Sequence, residues 1–581
     1  MKRLLPLVLL SVVVVGAWSA VVMAQTAVAR GVVFEDVNGD GVRQANEPGV
    51  GGVAVSDGDR VVQTDAAGRY ELRIDAEDAI VFVVKPAGYQ VAMDHLNLQR
   101  GYYIHKPAGS PDEGFQFEGV DPTGLLPASI DFPLTRIEES ETFTAIAFGD
   151  PQPYNLEEIA LFRREVVDPL TDEHGNTVGA SLGISLGDLV GDNLHLFEPL
   201  NEAQALFGVP WYNVLGNHDM NFMSGGTEAT AGDPDRYSDE TYERVYGPLT
   251  YAFQVGRVHF IILDNVKYKG FSGYQEGENP DWLPGLRTPK TGNYEGHFRS
   301  DQLRFIENYL GFVPREDLVV LAFHIPIGFR DGEPGIAETP RLLRILSGHP
   351  NTLSISGHTH FQRHWLMGEE EGYRPSEEVS ALNQHVLHDP ERFARAPHHH
   401  GNLVTVSGSW YRGEPDEEGV PHATMRDGAP NGYTLLHFDG NRYRTEFRAA
   451  RRAAHHQMTL AVGAGEGGER VLTANVFNGA EGDRVEARVL AGAGIEATPI
   501  GWWVMDYSAE PDPMYEALSK RENERPDRFR GGRASPGARV SWHLWKTELP
   551  AGLPAGTHVV EVRHTDLYGH VHVDRFSFRV E

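Results

Sequence analysis

Short apolar runs that end in metal-ligand residues are the feature of this sequence that most restricts its fold. They are rich in Val, Ile and Phe, and each is followed by Asp, Asn or His. The runs are 144–148 before Asp150, 183–186 before Asp188, 212–215 before Asn217, 318–323 before His324, and 352–356 before His358. Such runs are typical of buried strands, and open α/β sheets place ligands at the C-terminal ends of their strands. We therefore predict that five strand ends bring these side chains to one edge.

These blocks resemble the signature of the calcineurin-like metallophosphoesterase superfamily, which is D-x-H, G-D, G-N-H-[DE], a single His and G-H-x-H. Here they are Asp150-Pro-Gln152, Gly187-Asp188, Gly216-Asn217-His218-Asp219, His324, and Gly357-His358-Thr-His360. One block alone occurs by chance in many chains, but five in the family order are specific. Gln152 stands where the commoner pattern has His. Because some bacterial branches also carry D-P-Q, we do not interpret Gln152 as inactivation.

The resemblance implies a two-metal phosphoesterase. By the family match, one ion is bound by Asp150, Gln152, Asp188 and His360, and the other by Asp188, Asn217, His324 and His358. Imidazole and oxygen ligands suit Mn, Fe or Zn. A hydroxide that bridges the two ions would then attack a phosphomonoester or phosphodiester, as two-metal sites do.

His218 follows a predicted ligand and cannot easily turn to the same metal. It is expected to donate a proton to the leaving group or to contact the phosphoryl oxygens, a role that resembles the family's. A carboxylate beside the imidazole would hold its tautomer. Asp192 is the first candidate for this role, and Asp219 is the second. Gln152 replaces a neutral imidazole by a neutral amide, so the sequence predicts an ion site that exchanges its metal more easily.

The length of 581 residues predicts three or four domains. Lys and Arg total 51 against 82 Asp and Glu, a net charge of −31, which disfavours nucleic-acid binding because such a surface repels phosphate backbones. We find no local basic patch that would reverse this. The chain has no cysteine, which excludes disulfides and thiolate metal sites.

The first residues predict an export signal. Met1-Lys2-Arg3 is a positive start, residues 4–15 are apolar, and Val22-Met23-Ala24 offers small residues before a cut. Cleavage after Ala24 would leave a periplasmic or secreted protein without a membrane segment. The alternative is a membrane anchor, because the apolar character continues to Val22.

Residues 25–140 have short alternating runs separated by Gly, Asp and Asn, which predicts an N-terminal β-sandwich. Asp36, Asn38, Asp40, Gly41 and Glu47 fit the twelve-residue calcium loop. The flanking segments look like strands, whereas an EF-hand has helices, and the stretch resembles exported β-sandwich modules that carry calcium. An Asx-turn that needs no ion is equally compatible.

Residues 141–450 alternate between strand and helix patterns, and the family resemblance implies a four-layer αββα sandwich. Two long loops at 220–238 and 266–296 are expected to shape the substrate pocket. Residues 451–581 return to alternating strands and predict a C-terminal β-sandwich, in which 502–533 is expected to be a loop.

Other conspicuous residues are assigned more ordinary positions. His398-His399-His400 is predicted to lie in a polar surface loop, and His564, His570 and His572 at exposed strand positions. Trp410 and Tyr411 follow a predicted strand end, so pocket lining and core packing are both open.

Two classes of function remain at this point. The leading hypothesis is an exported dinuclear phosphoesterase whose substrate is not identified by the sequence. The alternative is a non-catalytic secreted binding or adhesive protein in which the central domain is a scaffold. A metal-dependent peptidase or amidase is a third class, but its usual H-E-x-x-H signature is absent.

Overall fold

The computed structural model of the protein describes residues 26–111, 115–221, 234–270, 294–328, 335–382, 397–465, 467–490, 501–525, 529 and 534–581. The predicted export signal over residues 1–24 lies outside this range. So do residues 222–233 and 271–293, which make up most of the two long loops expected to shape the pocket.

The N-terminal domain is a β-sandwich of two four-stranded sheets, ordered β4-β1-β8-β6 and β3-β2-β5-β7. Its strands are β1 Thr26–Glu35, β2 Ala54–Ser56, β3 Val61–Gln63, β4 Arg69–Asp75, β5 Ala79–Val83, β6 Tyr89–Val91, β7 Tyr102–His105 and β8 Phe132–Arg136. In β4, Tyr70, Leu72 and Ile74 are buried and the residues between them are exposed. This alternation places one face of the strand in the core between the sheets.

The central domain contains two large sheets, ordered β13-β12-β9-β22-β23 and β14-β15-β18-β19-β21-β20. The strands of the domain are β9 Thr142–Phe148, β10 Thr171–Asp172, β11 Gly175–Asn176, β12 Ala180–Ser185, β13 Trp211–Asn213, β14 Tyr251–Val255, β15 Val258–Ile262, β16 Val266–Tyr268, β17 Tyr294–Gly296, β18 Leu318–Ala322, β19 Thr352–Ser356, β20 Arg363–Met367, β21 His398–Asn402, β22 Gly432–Asp439 and β23 Arg442–Ala449. The core strands β13-β12-β9 and β15-β18-β19-β21 are parallel, as expected for strands buried on both faces.

Helices pack beside both sheets. They are α1 Leu156–Phe162, α2 Asp168–Leu170, α3 Phe197–Ala205, α4 Glu240–Tyr246, α5 Ser300–Leu310, α6 Thr339–Leu346 and α7 Glu377–Ser380, with a π-helix at Arg163–Val167 and 3₁₀ turns at Leu194–Leu196 and Pro234–Tyr237. Phe162 of α1 contacts Phe148 of β9. In β15, His259 contacts Tyr309 of α5, whereas the next residue, Phe260, contacts Phe143 and so faces the five-stranded sheet. The predicted four-layer sandwich is confirmed.

The N-terminal domain contacts one edge strand of each central sheet. Leu98 forms a parallel bridge to Trp211 in β13, and Lys85 forms one to Phe253 in β14. The ammonium of Lys85 also donates to the carbonyl of Gln254. These contacts hinder another chain from pairing with β13 and β14.

The C-terminal domain is a second β-sandwich, with sheets ordered β24-β25-β29-β28 and β27-β26-β30-β31. Its elements are β24 Met458–Ala464, β25 Arg470–Val476, β26 Arg484–Val489, β27 Trp503–Val504, β28 Asp506–Pro511, α8 Pro513–Asn523, β29 Val540–Glu548, β30 Gly556–Thr565 and β31 Val571–Val580. The prediction of a loop over 502–533 is wrong, since this segment contains two strands and a helix. Asp512 starts α8 by accepting the backbone N–H groups of Met514 and Tyr515.

Across the described ranges, no helix has both the length and the apolar character that a membrane crossing requires.

Candidate metal centre

The predicted ligands lie where the two central sheets meet. Asp150, Asp188 and Asn217 follow β9, β12 and β13 of the five-stranded sheet, and His324 and His358 follow β18 and β19 of the six-stranded sheet. All five belong to loops at the C-terminal ends of parallel strands, which the packing of the sheets brings to one edge. The two sheets therefore supply different halves of one cluster.

His324 is at the centre of the tightest part of the cluster. Its Nε2 atom lies 3.1 Å from Oδ1 of Asn217, 3.2 Å from Oδ1 of Asp188 and 3.0 Å from Nδ1 of His358. Within the described ranges, Asp188, His324 and His358 are the only three His, Asp or Glu residues whose donor atoms all lie within 4.8 Å of one another. Lone pairs converging on one point are the arrangement of a metal site.

A second set of donors lies beside this one. Nε2 of His360 is 3.8 Å from Oδ1 of Asp150. Oε1 of Gln152 is buried and accepts no hydrogen bond from any described residue. A buried amide oxygen without a partner is destabilising unless something binds it. His360 and Asp150 are thus close together, and the assignment of these two residues and Gln152 to one ion stays a prediction.

Backbone carbonyls fix the orientation of two histidines. Nδ1 of His324 donates to the carbonyl of Leu186 at 2.8 Å, and Nδ1 of His360 donates to the carbonyl of Gly408 at 2.5 Å. Since a carbonyl can only accept, the proton resides on Nδ1 and the lone pair of Nε2 is directed into the cluster. This is the usual support of a metal-ligating imidazole.

The backbone is strained around the cluster. Eleven non-glycine residues of the described chain have positive φ, and six of them are Asp150, Gln152, Asp188, Asp192, His358 and His360, with φ between 42° and 76°. The left-handed region is unfavourable for L-residues, and such residues concentrate at functional sites. The fold therefore holds these side chains in positions that an unconstrained chain would avoid.

Two glycines allow the ligand loops to approach closely. A Cβ on Gly216 would lie 1.9 Å from the backbone nitrogen of Asp188, and one on Gly357 would lie 2.6 Å from Oδ2 of Asp150. Both distances are shorter than any real contact of a methyl group. Any larger residue at these positions would push the carboxylates out of the cluster.

His218 points into the same region but has a different partner. Its Nδ1 lies 2.6 Å from Oδ1 of Asp192. Asp219, the second candidate, accepts the backbone N–H groups of Leu189, Val190 and Gly216, so its carboxylate ties two ligand loops together. Burial disfavours the imidazolium, but the charges of Asp192 and Asp188 outweigh burial and raise the pKa of His218 to about 10.

The two central carboxylates have opposite pKa shifts. Burial raises the pKa of Asp150 to about 7, and the charge of Asp188 adds to this effect. Burial also acts on Asp188, but the imidazoles of His324, His218 and His358 outweigh it and hold its pKa below the ordinary value. Asp188 is therefore the carboxylate that the surroundings keep ionised, at the point where both donor sets meet.

Three family models match the chain. They are the N terminal of calcineurin-like phosphoesterase over residues 36–120, the calcineurin-like phosphoesterase itself over 145–362, and the C terminal of calcineurin-like phosphoesterase over 400–572. The chain belongs to the calcineurin-like phosphoesterase family. It is a metal-dependent phosphoester hydrolase, as the sequence predicted, and its family implies divalent ions.

Two solved structures match the chain at low similarity. Purple acid phosphatase PPD1 from yellow lupin (Lupinus luteus) seeds is 12% identical, with a TM-score of 0.32, over 73% of this chain and 67% of that one. PhoD is 11% identical, with a TM-score of 0.31, over 95% of this chain and 92% of that one. No curated protein matches this phosphoesterase significantly.

The residues of this phosphoesterase fit the ions that its family implies. The buried oxygen of Gln152 has no hydrogen-bond partner among the described residues, and Nε2 of His324 and Nδ1 of His358 lie 3.0 Å apart, so a cation could bind at both places. Neutral imidazole, amide and carboxylate donors without thiolates match Mn, Fe or Zn rather than a purely thiophilic ion.

Aromatic side chains surround the cluster, and the sequence identified only one of the closest. Trp410 stacks on the ring of His360, with centroids 4.3 Å apart and an interplanar angle of 29°. Tyr411 is core, since it is 2% exposed and donates to the carbonyl of Pro151. Tyr154 was not predicted as a site residue, although its hydroxyl lies 3.4 Å from Nε2 of Gln152. Its position two residues after Gln152 was the available signal.

The predicted calcium loop closes on its own backbone. Asp36 accepts the N–H groups of Gly39 and Gly41, and Glu47 accepts those of Val37 and Gln44. Asn38 and Asp40 are exposed and bond to each other. These contacts are those of a stable turn, and calcium binding by Asp36, Asn38, Asp40 and Glu47 stays a prediction.

The prediction of surface exposure for His398-His399-His400 is wrong. These residues form β21 and are fully buried, in the interior of the six-stranded sheet. The prediction for His564 is also wrong, since its side chain is 1% exposed and lies 2.8 Å from Asp483. Both errors have the same cause, because polar partners on strands distant in sequence make burial of the imidazole possible.

Proposed function

We propose that this protein is an exported phosphoesterase that hydrolyses phosphomonoesters or phosphodiesters with two divalent ions. The observation that carries the proposal is the position of Asp188. Its Oδ1 lies 3.2 Å from Nε2 of His324, which belongs to one donor set. Its backbone carbonyl accepts the N–H of Gln152, which belongs to the other. One residue in contact with both donor sets is the candidate for a ligand that two ions share.

The donor sets divide between the ions as the family match implied. Asp150, Gln152, Asp188 and His360 would hold one ion, and Asp188, Asn217, His324 and His358 the other. Bound there, two divalent ions would neutralise phosphoryl charge and acidify the attacking water. The residues of the chain hold the ligands rigidly, through carbonyl-anchored imidazoles and strained loops.

His218 is proposed as the proton donor to the leaving oxygen. Its Nδ1 is held by Asp192, which leaves Nε2 directed away from the carboxylate and available to a substrate. The carboxylate of Asp192 beside Nδ1 favours the protonated ring. A general acid must carry its proton before the leaving group departs.

The aromatic rim is proposed as the contact for the organic part of the ester. Tyr154 meets His218 edge-on at 6.3 Å, Tyr294 meets His358 edge-on at 5.7 Å, and Trp410 covers His360. Three rings around a charged centre suit a substrate with an apolar or aromatic leaving group.

Hydrolysis of a chromogenic phosphomonoester and of a phosphodiester tests the proposal. We expect turnover of at least one of them by the full-length protein with Mn, no turnover after chelation, and recovery on addition of Mn. The matched control is Asp188→Asn, which should stay folded and inactive. A protein that retains two ions per chain but hydrolyses neither ester nor other phosphoesters would favour the binding or adhesive alternative.

Export rests on the sequence of the first residues. N-terminal sequencing of the protein recovered from the periplasm or the culture medium should start at Gln25. Full-length protein retained in the membrane fraction would instead indicate the anchor alternative.

A further inference from the structure

The junction between the central and C-terminal domains contains a cluster of polar side chains with no access to solvent. Asp427, Asn475 and His543 are 0% exposed and Asp512 is 1% exposed. Asp427 belongs to the central domain, and the other three belong to β25, β29 and the start of α8. Buried polar groups are destabilising unless each is hydrogen-bonded, so this cluster requires a detailed account of its partners.

His543 is the centre of the cluster. Its Nε2 lies 2.9 Å from Oδ2 of Asp427, and its Nδ1 lies 2.8 Å from Oδ1 of Asn475. Asn475 in turn donates to Oδ2 of Asp512 at 2.6 Å and to the carbonyl of Asp427 at 2.9 Å. The domains are in direct contact here, because a Cβ on Gly428 would lie 2.7 Å from the side chain of Asp512.

Asp427 connects this cluster to a proposed metal ligand. Its Oδ2 also accepts the backbone N–H of Gln362 at 2.8 Å, two residues after His360. This one carboxylate oxygen thus accepts hydrogen bonds from both the imidazole of His543 in the C-terminal domain and the backbone N–H of Gln362 in the ligand loop. Fixing Gln362 in this way restrains His360, whose own φ of 55° is unfavourable without support.

A second path runs to the other side of the same imidazole. His360 donates to the carbonyl of Gly408, and the next residue, Ser409, donates to the carbonyl of Thr424. The hydroxyl of Tyr515 in α8 lies 3.4 Å from Oγ of Ser409. The C-terminal domain therefore contacts both the loop that carries His360 and the loop that orients its ring.

We propose that the C-terminal β-sandwich is a positioning element for the ion bound by Asp150, Gln152, Asp188 and His360, acting through the His543–Asp427 pair. This rests on the two-ion function proposed above. The other ion depends less on this pair, because the ring of His324 is oriented by the carbonyl of Leu186 and its backbone N–H by Asn265, both in the central domain. His358 is on the same loop as Gln362, but Asp150 accepts its backbone N–H directly. The expected signature is thus loss of one ion rather than both.

The chain offers a matched control in the same domain. His564 and Asp483 form another buried pair, with Nε2 2.8 Å from Oδ2 and side chains 1% and 2% exposed. Both members belong to the C-terminal domain. A substitution of His564 should therefore lower stability as a substitution of His543 does, without reaching the ligand loop.

The experiment follows metal release from full-length, Mn-loaded protein into chelator, with mass spectrometry of the remaining metal and circular dichroism to verify folding. For His543→Ala we expect the ion held with His360 to leave about 10- to 100-fold faster than from the wild type, the usual effect of removing a residue that supports a ligand. The ion held with His324 should leave at the wild-type rate. His564→Ala should release both ions as the wild type does.

His543→Gln and His564→Gln repeat the comparison of metal release with an amide side chain that keeps one hydrogen-bond donor. If His543→Ala does not fold, these two variants test the proposal in its place. His543→Gln should release the ion held with His360 at a rate between those of the wild type and His543→Ala.

Excess Mn should restore the activity of His543→Ala but not that of Asp188→Asn. Equal release from the His543 and His564 variants, or faster loss of both ions from His543→Ala, would overturn the proposal. Wild-type protein that binds fewer than two ions would contradict the proposed function itself.

Discussion

Two groups of buried histidines lie in the central domain, and they differ in the partners of their ring nitrogens. His324 and His360 each have one nitrogen on a backbone carbonyl and the other directed at carboxylate, amide or imidazole donors. The second group is formed by the three histidines of β21, which lies two strands from β18 in the six-stranded sheet. In its histidines both ring nitrogens face hydroxyl groups or other histidines.

The neighbouring strand β19 supplies those hydroxyls. Thr352 and Ser354 contact the two nitrogens of His398, and Ser354 and Ser356 contact those of His400, at 2.8–3.3 Å. A hydroxyl donates or accepts as its neighbour requires, so a neutral imidazole is satisfied in either tautomer. Burial and the nearby His398 keep the pKa of His400 well below its usual value, so the ring is neutral.

The difference between the groups shows that burial alone does not identify a metal-ligating histidine. His324 and His360, two of the proposed ligands, each have one nitrogen fixed by a carbonyl, which cannot donate, so that the lone pair of the other nitrogen is directed at other donors. A structural histidine has both nitrogens saturated by groups that adapt to it. Substitutions at the two groups should accordingly change different properties.

The largest effect is expected at the shared carboxylate. Asp188→Asn should abolish most activity and reduce bound metal, because one residue is proposed to serve both ions. Metal content measured by mass spectrometry on the folded variant checks this. Unchanged metal content would refute the assignment of Asp188 as the shared ligand.

A large effect on rate without an effect on metal is expected at His218. His218→Ala should keep both ions and slow turnover by about a hundred- to ten-thousand-fold, the usual contribution of a general acid. Steady-state kinetics on protein with verified metal content gives the measurement. Loss of metal in this variant would place His218 among the ligands.

The comparison of the two histidine groups is tested directly by one alanine in each. His400→Ala should lower the free energy of unfolding by about 2–4 kcal/mol, because it leaves a cavity and two hydroxyls without their partner, while both ions stay bound. His360→Ala should instead lose one ion. Denaturant unfolding and metal analysis on both variants separate the outcomes, and metal loss from His400→Ala would remove the distinction drawn above.

A smaller effect is expected at Gln152. Gln152→His should slow metal loss to chelator and shift preference from Mn toward Zn, because imidazole is a better donor than an amide oxygen for the softer ion. The fold should not change, since the side chain follows a strand end. Identical chelator sensitivity and metal preference in both proteins would mean that Gln152 is not a ligand.

The smallest effect is expected at the N-terminal loop. If the loop binds calcium, saturating calcium should raise the melting temperature of the full-length protein by about 2 °C, since ligand binding to the folded state stabilises it. Glu47→Gln is the control and should show no shift. The same melting temperature with and without calcium in the wild type would leave only the turn.

The sequence allowed prediction of those site residues that belong to short local motifs. Each ligand block follows its own apolar run, so strand ends and donors could be located one at a time. The family resemblance then grouped them and implied the four-layer fold. Asp192 could also be identified from the sequence as a candidate, because it lies four residues after Asp188 on the same loop.

The parts that sequence analysis missed depend on contacts between distant segments. The sequence around His398 contains no signal that Ser354 lies beside it, so three consecutive histidines were predicted to be exposed on the surface. The same holds for Asp427 and His543, which are 116 residues apart and belong to no motif. Single polar residues of this kind are recognised only when a structure shows that they are buried together.

The pairing of β9 has a consequence for how the chain folds. Asp150 follows β9, which is flanked by β12 on one side and by β22 on the other, and the hydroxyl of Thr144 in β9 contacts His437 in β22 across 293 residues of sequence. Contacts of such high sequence separation form late and slowly, because closing a long loop precedes any gain from pairing. During synthesis, the five-stranded sheet remains open beside β9 until residue 439 has left the ribosome. A fragment ending at residue 362, where the match to the family's central model ends, would expose the backbone of β9 along that side and is expected to aggregate.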